Sequence, residues 1–450
     1  MVRLRMIGVS VAAVLAAAPV AAQPIAPLQQ PTAPPVSFAS APDVVTAYDT
    51  YRPQPIWTRH GLDEAAVAEL VSILQRAPFD GFAEGPQLAA QVQAAAAQAR
   101  AGGPDAAAAE RFFSTVWVRY VRAIKRPTDG MIYAFPILKP HGTRADEILL
   151  TAAAAPSLAR YLAATADVNP IYSQLRDAAW AEAQETGNLT PDPRLLANLD
   201  RVRSLPASGR FLLVDSGSSM LTLYDNGQAV DSMKVITGTA QLPTPLIASI
   251  MYYITYNPYW HAPDHLVRKT IAPTVLRQGM RYLKSHGYHV IDEWSPTANV
   301  IDPTTIDWKA AAAGTVHLRI RQDPGPLNSM GNLKFPFPNP EDIYLHDTPS
   351  RGLFAKEQRN LSNGCVRVED PKRLGRWLLG EDPAPPGDDA ETNVKLPQGT
   401  PIYLTYITAQ VFDGKVNYLP DLYGWDSAPP KFAAAVSESD LAAGSPAPEK

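Results

Sequence analysis

The hydrophobic pattern of the chain changes its period near residue 208, and this change divides it into two kinds of structure. Before that point apolar residues recur at three- and four-residue spacing, as in "DEAAVAELVSILQRA" and "AAAAERFFSTVWVRYVRAI", which is the pattern of amphipathic helices. After it, stretches such as "GRFLLVDSGSSMLTLYDNGQAVDSMKVITG" alternate between apolar and polar residues, as β-strands do. We therefore predict a multidomain α+β protein, with an all-helical scaffold domain over residues 43–205 and a β-rich domain over residues 206–430.

The β-rich part contains further strand patterns in "IMYYITYNP", "TVHLRIRQ", "DIYLHD" and "PIYLTYITAQVF". Asp225-Asn226-Gly227 and Asp413-Gly414 stand where hairpin turns need positive backbone angles. Between the strands, residues 260–314 hold helical pieces punctuated by proline. We predict that this mixed segment is an inserted subdomain that caps a site.

The two ends of the chain do not fit either domain. The first 22 residues carry Arg3 and Arg5, an apolar run shorter than a membrane span, and small residues at Val20 and Ala22, which predicts a cleaved secretory signal peptide and a periplasmic protein with no transmembrane segment in its mature form. Residues 23–42 are rich in proline and predict a linker, and residues 431–450 predict a disordered tail.

Composition narrows the classes of function. With 46% hydrophobic and 19% charged residues, the 450-residue chain is typical of globular proteins. Cleavage of the signal peptide would leave 38 basic and 44 acidic residues, which argues against a nucleic-acid partner. Its single cysteine, Cys365, excludes an intrachain disulfide. A lone thiol in an exported protein pairs with another chain, is simply buried, or is kept for its reactivity.

Two other candidate sites fail on spacing. "DSGSSM" lacks the G-x-S-x-G spacing of a nucleophile elbow. His261 and His265 are four residues apart, but Pro263 interrupts a helix there and no glutamate follows the first histidine, so no metal site is predicted.

The segment "IYLHDTPSRGLFAKEQRNLSNGCVRVED", residues 343–370, brings a base and a nucleophile together. His346 ends a predicted strand, and Cys365 follows Gly364 in a turn before the next strand. A free thiol has a pKa of about 8.5, so that a histidine within hydrogen-bond reach is needed to raise its reactivity at neutral pH. Glycine before the nucleophile lets backbone N–H groups approach a developing oxyanion.

Two arginines of the same segment have open roles. Arg351 and Arg367 either hold carboxylates of an anionic substrate or pair with acidic residues such as Asp347 and Glu369. The sequence favours neither alternative.

These residues resemble the signature of the L,D-transpeptidase (YkuD-type) family: a histidine, about fifteen residues, Ser/Thr-His-Gly-Cys, and an arginine two positions on. Here His346 is followed after fifteen residues by Ser362-Asn363-Gly364-Cys365, and Arg367 has the arginine position. The run "RQDPGPLNSMGNLKFPFPNPEDIYLHDTPSRGLF" is similar to the YcbB-like branch, as are "YNPYWHAP", "YRPQPIW" and "RLLANLDRVRSLP". Asn363 departs from the usual histidine, and too few residues separate the two domains for the peptidoglycan-binding module that such members often carry.

The resemblance implies a chemistry. His346 acts as general base and acid, and Cys365 attacks the position-3 carbonyl of a peptidoglycan tetrapeptide stem and expels D-alanine. The amides of Gly364 and Cys365 hold the oxyanion, and no metal or organic cofactor is required. The thioester then passes to an amine, giving a 3-3 cross-link; the acceptor is left open between another stem, a free D-amino acid and the N-terminus of an outer-membrane protein. Expected substrate-binding residues are Ser362, Asn363, Arg367, Arg351 and Tyr344.

Two other functions stay open at this point. Asn363 is compatible with a non-catalytic scaffold that only binds peptidoglycan stems, and transfer of the acyl group to water would make the protein an L,D-carboxypeptidase. Acylation of Cys365 by a tetrapeptide stem or a carbapenem separates the first alternative from catalysis, and analysis of the products separates the second.

Overall fold

The structure is a computed structural model that describes residues 39–51, 54–100, 104–295 and 297–428. The predicted signal peptide, most of the predicted linker and the predicted tail lie outside the described residues. None of the helices within these ranges is long and apolar enough to cross a lipid bilayer.

The first part of the described chain is helical, as its periodicity predicts. Side chains of Asp63, Asn169 and Asp192 accept hydrogen bonds from the first-turn amides of three helices, and proline stands at the first helical position after the latter two. The helices are α1 (Pro42–Tyr51), α2 (Glu64–Arg76), α3 (Gly85–Arg100), α4 (Pro104–Ile124), α5 (Ala145–Ala154), α6 (Leu158–Ala166), α7 (Pro170–Thr186) and α8 (Pro193–Val202), with 3₁₀ helices at Ala77–Asp80 and Pro136–Leu138.

Strands dominate the rest of the described chain, with a few helices between them, and one short strand, β1, lies within the helical part. The strands are β1 (Ile132–Tyr133), β2 (Phe211–Asp215), β3 (Met220–Asp225), β4 (Gln228–Gly238), β5 (Ile247–Tyr256), β6 (Trp260–Ala262), β7 (Tyr288–Ile291), β8 (Val300–Ile301), β9 (Arg319–Gln322), β10 (Leu333–Pro336), β11 (Tyr344–His346), β12 (Asn360–Ser362), β13 (Val366–Val368), β14 (Thr392–Thr405), β15 (Ala409–Phe412) and β16 (Lys415–Tyr418). The later helices are α9 (Asp264–Leu266), α10 (Ala272–Gln278), α11 (Arg281–His286), α12 (Trp308–Ala313) and α13 (Pro371–Leu379), with a π-helical turn at Val267–Ile271 and 3₁₀ helices at Pro303–Thr305 and Arg351–Ala355.

The main sheet closes on itself. Its strands run in the order β5-β10-β11-β13-β4-β3-β2-β14, and β14 pairs with both β2 and β5, which completes a barrel-like ring. Inward-facing residues of these strands, among them Leu212, Phe335, Leu345 and Val366, form one buried core. The predicted fold class, a helical part followed by a β-rich part, is therefore confirmed.

The two parts are joined more closely than the sequence predicts. Strand β1 comes from the helical part, yet it pairs in parallel with β5 of the main sheet, Ile132 opposite Ile247. A second hydrophobic core combines Phe79 and Tyr172 of the helical part with Phe211 of β2 and Tyr403 of β14. The helical part is thus not purely helical, and it packs directly against the outside of the ring.

The predicted capping segment forms a separate layer. Its strands make a small sheet in the order β6-β9-β7-β8, and helices α10 to α12 pack on it around Val290, Trp308 and Ile320. Strand β9 lies beyond the predicted end at residue 314 and pairs with both β6 and β7. We call residues 260–322 the capping subdomain; the domain boundaries given from sequence otherwise stay predictions.

Candidate active site

A tight turn between β12 and β13 carries Cys365, and we call residues 362–365 the nucleophile turn. The Ser362 hydroxyl donates to the carbonyl oxygen of Cys365 at 2.6 Å and accepts the amide of Gly364 at 3.2 Å. Thr244 holds the turn from the other side, since its hydroxyl donates to the Gly364 carbonyl at 2.7 Å. Gly364 has φ of 117°, and a Cβ there would lie 3.1 Å from Ile343 Cδ1, so this position favours glycine.

Strand register places the chemical side chains on one face of the ring. Lys334 of β10 lies opposite His346 of β11, and His346 lies beside Arg367 of β13. Phe335, the next residue after Lys334, and Leu345, the residue before His346, are buried in the core on the opposite face. Because side chains alternate along a strand, Lys334, His346 and Arg367 project together on the outer face of the ring.

Tyr344 and Cys365 extend this face by one step. Tyr344 is two residues before His346, and their rings meet edge to face with centroids 5.8 Å apart. Cys365 precedes Val366, which pairs with Leu345, so that Cys365 stands next to Tyr344 across the strands. We call Lys334, Tyr344, His346, Cys365 and Arg367 the reactive face.

His346 is a neutral base in this arrangement. Its side chain is 6% exposed, and its Nδ1 lies 2.6 Å from the carbonyl oxygen of Asp347. A carbonyl only accepts, so Nδ1 carries the proton and Nε2 keeps its lone pair. Burial lowers the pKa of His346 to about 3. The positive charges of Arg367 and Lys334 act in the same direction, and the bond to the carbonyl opposes them.

The Cys365 thiol is protonated at rest. It is half-buried, and in the described part of the chain it donates to the carbonyl oxygen of Asp342 at 3.7 Å and makes no hydrogen bond to His346. Burial raises the pKa of the Cys365 thiol, whereas hydrogen bonds from Tyr344 and the charge of Lys334 lower it. The site therefore rests as a neutral thiol and a neutral imidazole rather than as an ion pair.

A cavity of about 1470 Å³ opens in front of Cys365. Asn363 and Tyr344 also line it, whereas the buried His346 does not. The capping subdomain contributes one wall, formed by His261, Pro263, Asp264, His265, Trp294, His317 and Arg319, and β1 contributes Ile132 and Tyr133.

The domain that holds this site matches a known family. Residues 209–404 fit the model of YkuD, the L,D-transpeptidase catalytic domain, and this range includes the nucleophile turn, the reactive face and the capping subdomain. The chain carries an L,D-transpeptidase catalytic domain. Residues 42–178 fit the model of a scaffold domain, which covers most of the helical part.

Individual proteins add further similarity. A Haemophilus influenzae protein named as an L,D-transpeptidase is 29% identical to this chain over 321 residues. The matched region is 69% of this chain and 64% of that protein. The chain thus spans less than two thirds of the length of this curated relative.

Two solved structures are also similar. The L,D-transpeptidase from Mycobacterium smegmatis is 12% identical with a TM-score of 0.22, covering 44% of this chain and 59% of its own. The Ldtfm–avibactam carbamoyl enzyme is 10% identical with a TM-score of 0.21, covering 44% and 49%.

Within the L,D-transpeptidase domain, the two arginines have different surroundings. Arg351 donates to the Asp347 carboxylate and, at 2.7 Å, to the carbonyl oxygen of Glu369, and it does not line the cavity. Its contacts are those of the structural alternative. Arg367 projects on the reactive face, but its Nε is buried without a hydrogen-bond partner among the described residues, and burial lowers its pKa.

Asp347 links Arg351 to the base. Its carboxylate accepts from the amides of Thr348 at 2.6 Å and Asn332 at 2.9 Å, in addition to Arg351. Gly331 has φ of 60°, and a Cβ there would lie 2.4 Å from this carboxylate. The backbone carbonyl that orients His346 therefore belongs to a residue whose side chain is fixed on several sides.

Ser362 is predicted from sequence to bind substrate, but its hydroxyl is used inside the nucleophile turn and it is 2% exposed. We expect Ser362→Ala to lower the free energy of unfolding by about 1–3 kcal/mol, because two hydrogen bonds of roughly 1 kcal/mol each are lost. Acylation of Cys365 should also slow as the turn loosens. Thermal melting and acylation rates check this, with the exposed Ser350→Ala as control; equal behaviour of the two variants would contradict it.

The histidines of the capping wall do not form a metal site. Asp264 accepts from Nδ1 of His317 at 2.8 Å, and the rings of His261 and Trp294 lie 4.8 Å apart. No group of three potential metal ligands occurs among the described residues. Trp260, which precedes His261 in β6, does not line the cavity and packs on Tyr288 instead.

Lys334 and Asp342 are two further residues of the site that the sequence alone does not indicate. Both line the cavity beside Cys365. The alternation of "LKFP" places Lys334 on the face opposite Leu333 and Phe335, but it does not say which strand will lie next to the nucleophile.

Proposed function

We propose that the protein is a peptidoglycan L,D-transpeptidase with Cys365 as its nucleophile. The thiolate attacks the carbonyl of the residue at position 3 of a tetrapeptide stem and forms a thioester, and D-alanine leaves. The observation that carries this proposal is the position of Cys365: its thiol lies at the wall of a 1470 Å³ cavity, on the face that also holds a neutral histidine.

The first step moves a proton from sulfur to nitrogen. We infer that the thiol leaves the Asp342 carbonyl by rotation about χ1 and donates to Nε2 of His346. The imidazolium formed is stabilised by the Asp347 carbonyl through Nδ1–H, and it returns the proton to the departing amine of D-alanine. General acid–base catalysis of this kind typically contributes about 10²–10⁴-fold to a rate.

The second requirement is stabilisation of the tetrahedral oxyanion. We propose that the amides of Cys365 and Gly364 supply it. In the resting structure the Gly364 N–H donates a hydrogen bond to the Ser362 hydroxyl. It must therefore leave this hydroxyl for the oxyanion, or be shared between the two acceptors. One such donor is typically worth about 3 kcal/mol of transition-state stabilisation.

The capping subdomain favours an amine over water as acyl acceptor. It lines the same cavity as Cys365, and a volume of about 1470 Å³ is sufficient for two peptide ligands at once. A bound acceptor stem excludes water from the thioester, which supports 3-3 cross-linking. A free D-amino acid and the N-terminus of an outer-membrane protein are chemically equivalent amines, and we propose the periplasm as the compartment where such acceptors meet the enzyme.

Incubation of purified sacculi with the full-length protein tests this function. We expect muropeptides with 3-3 cross-links to increase and free D-alanine to be released, both detected by mass spectrometry after digestion. Protein alkylated at its single cysteine is the control and should produce neither.

Other products would lead to other conclusions. Release of D-alanine with tripeptide stems and no new cross-links would assign an L,D-carboxypeptidase. Unmodified sacculi together with retention of the protein on them would instead support a stem-binding scaffold and contradict the transpeptidase.

A further inference from the structure

Lys334 is a cation of the reactive face with no assigned role. It lies opposite His346 in the antiparallel pair of β10 and β11 and lines the cavity together with Cys365. Its Nζ lies 4.5 Å from the centroid of the Tyr344 ring, a cation–π distance that holds the ammonium group over the side chain next to the nucleophile.

The charge of Lys334 is not neutralised. Among the described residues its ammonium group makes no ion pair. Asp264, which lines the same cavity, instead pairs with His317 at 2.8 Å and with Arg268 at 3.8 Å. The field of Lys334 reaches the reacting groups, because it favours the thiolate of Cys365 and disfavours the imidazolium of His346. An unpaired cation beside a nucleophile is a binding position for an anionic part of the substrate.

Covalent geometry indicates which anion this is, provided that the proposed function holds. In a tetrapeptide donor the attacked carbonyl carbon is followed only by one nitrogen and one Cα before the terminal carboxylate. The two carbons are therefore no more than about 4 Å apart. A donor whose carbonyl lies over Cys365 thus has its free carboxylate within reach of a lysine side chain on the same face.

We propose that Lys334 binds the free terminal carboxylate of the residue that leaves, and so selects stems that end one residue after the acylated carbonyl. Arg367 does not compete for this role because it does not line the cavity. The carboxylate also departs with the leaving residue, which frees Lys334 before an acceptor enters.

Two donors that differ only at the C-terminus test this. One is the tetrapeptide with a free carboxylate and the other its C-terminal amide; acylation of Cys365 is followed by intact mass. For the wild-type protein we expect amidation to lower kcat/KM by about 10- to 100-fold, the usual range for a lost charge-assisted hydrogen bond. Lys334→Met should lose this discrimination, so that its kcat/KM values for the acid and the amide lie within about threefold of each other.

Two control variants separate carboxylate recognition from a general effect of replacing a lysine. Lys334→Arg should keep most of the discrimination, and Lys395→Met, an exposed strand lysine outside the cavity, should keep all of it. Because each variant is compared with itself on two donors, a folding defect lowers both rates and leaves their ratio unchanged.

Two outcomes overturn the proposal in distinguishable ways. Wild-type protein that acylates both donors equally, or Lys334→Met that loses the same factor on both, excludes terminal-carboxylate recognition and leaves the transpeptidase function intact. Wild-type protein that acylates with neither donor contradicts the proposed function itself.

Discussion

A serine in place of Cys365 is expected to abolish acyl-enzyme formation and to lower the transpeptidation rate by about 10⁴-fold or more, the scale seen when a covalent nucleophile is removed. Serine keeps the shape of the side chain and the hydrogen bonds of the nucleophile turn. A hydroxyl is much less acidic than a thiol, however, and the neutral imidazole of His346 is too weak a base to ionise it.

Intact mass of the protein after mixing with a tetrapeptide donor measures this directly, since the acyl group adds a defined mass. Thermal melting of Cys365→Ser should stay within about 2 °C of the wild type. A double variant, Cys365→Ser with Ser350→Cys, moves the thiol to an exposed position of the same segment and should remain inactive. Acylation of the Cys365→Ser variant at the wild-type rate would exclude Cys365 as the nucleophile.

Replacement of His346 by alanine has the second largest expected effect, about 10²–10⁴-fold on acylation at pH 7. Burial raises the pKa of Cys365, so without a base the rate depends on a small thiolate fraction. We expect the variant to gain about tenfold per pH unit until the thiol ionises. The wild-type rate should show no fall between pH 7 and pH 5, because the pKa of His346 is about 3 and its imidazole stays neutral in that range.

His286→Ala is a matched control. His286 also places Nδ1 near a backbone carbonyl, that of Tyr282 at 3.0 Å, but it does not line the cavity, and its replacement should leave the pH profile unchanged. A wild-type profile that falls through pH 6.5, or a His346→Ala profile without slope, would argue against a neutral general base.

The same histidine links stability to pH. Its pKa is about 3 in the folded protein and about 6.5 when unfolded, so between these values the unfolded chain binds more protons. The contribution of His346 to the free energy of unfolding is therefore present above pH 6.5 and decreases as the pH falls towards 3. Denaturant titrations at pH 7 and pH 5 should show this loss in the wild type and less of it in His346→Ala.

The sequence predicts those parts of the fold that depend on residues close to one another along the chain. The hairpin turns are examples: Asn226 and Gly227 have φ of 50° and 76°, and Asp413 and Gly414 have 52° and 74°, as their residue types indicate. The nucleophile turn is another, because Ser362, Gly364 and Cys365 interact within four residues of one another.

Other features depend on strands that meet only in the folded chain. Thr244 supports the nucleophile turn from 120 residues away, and Lys334 reaches the reactive face through β10. Strand β1 has two residues, too few for any periodicity to mark it. For the same reason the sequence leaves Arg351 between an anionic substrate and acids such as Asp347. In the folded chain the 3₁₀ turn at Arg351–Ala355 brings its guanidinium to the Asp347 carboxylate.

The shared core between the helical part and the ring constrains how such proteins can evolve by recombination. The family models end one domain at residue 178 and begin the next at residue 209, as if they were separable modules. Phe79 and Tyr172, however, are buried in the same hydrophobic core as Phe211, and β1 pairs with β5. A recombination event that transferred the catalytic module alone would expose this apolar surface to water, so selection should keep the two coding segments together as one unit.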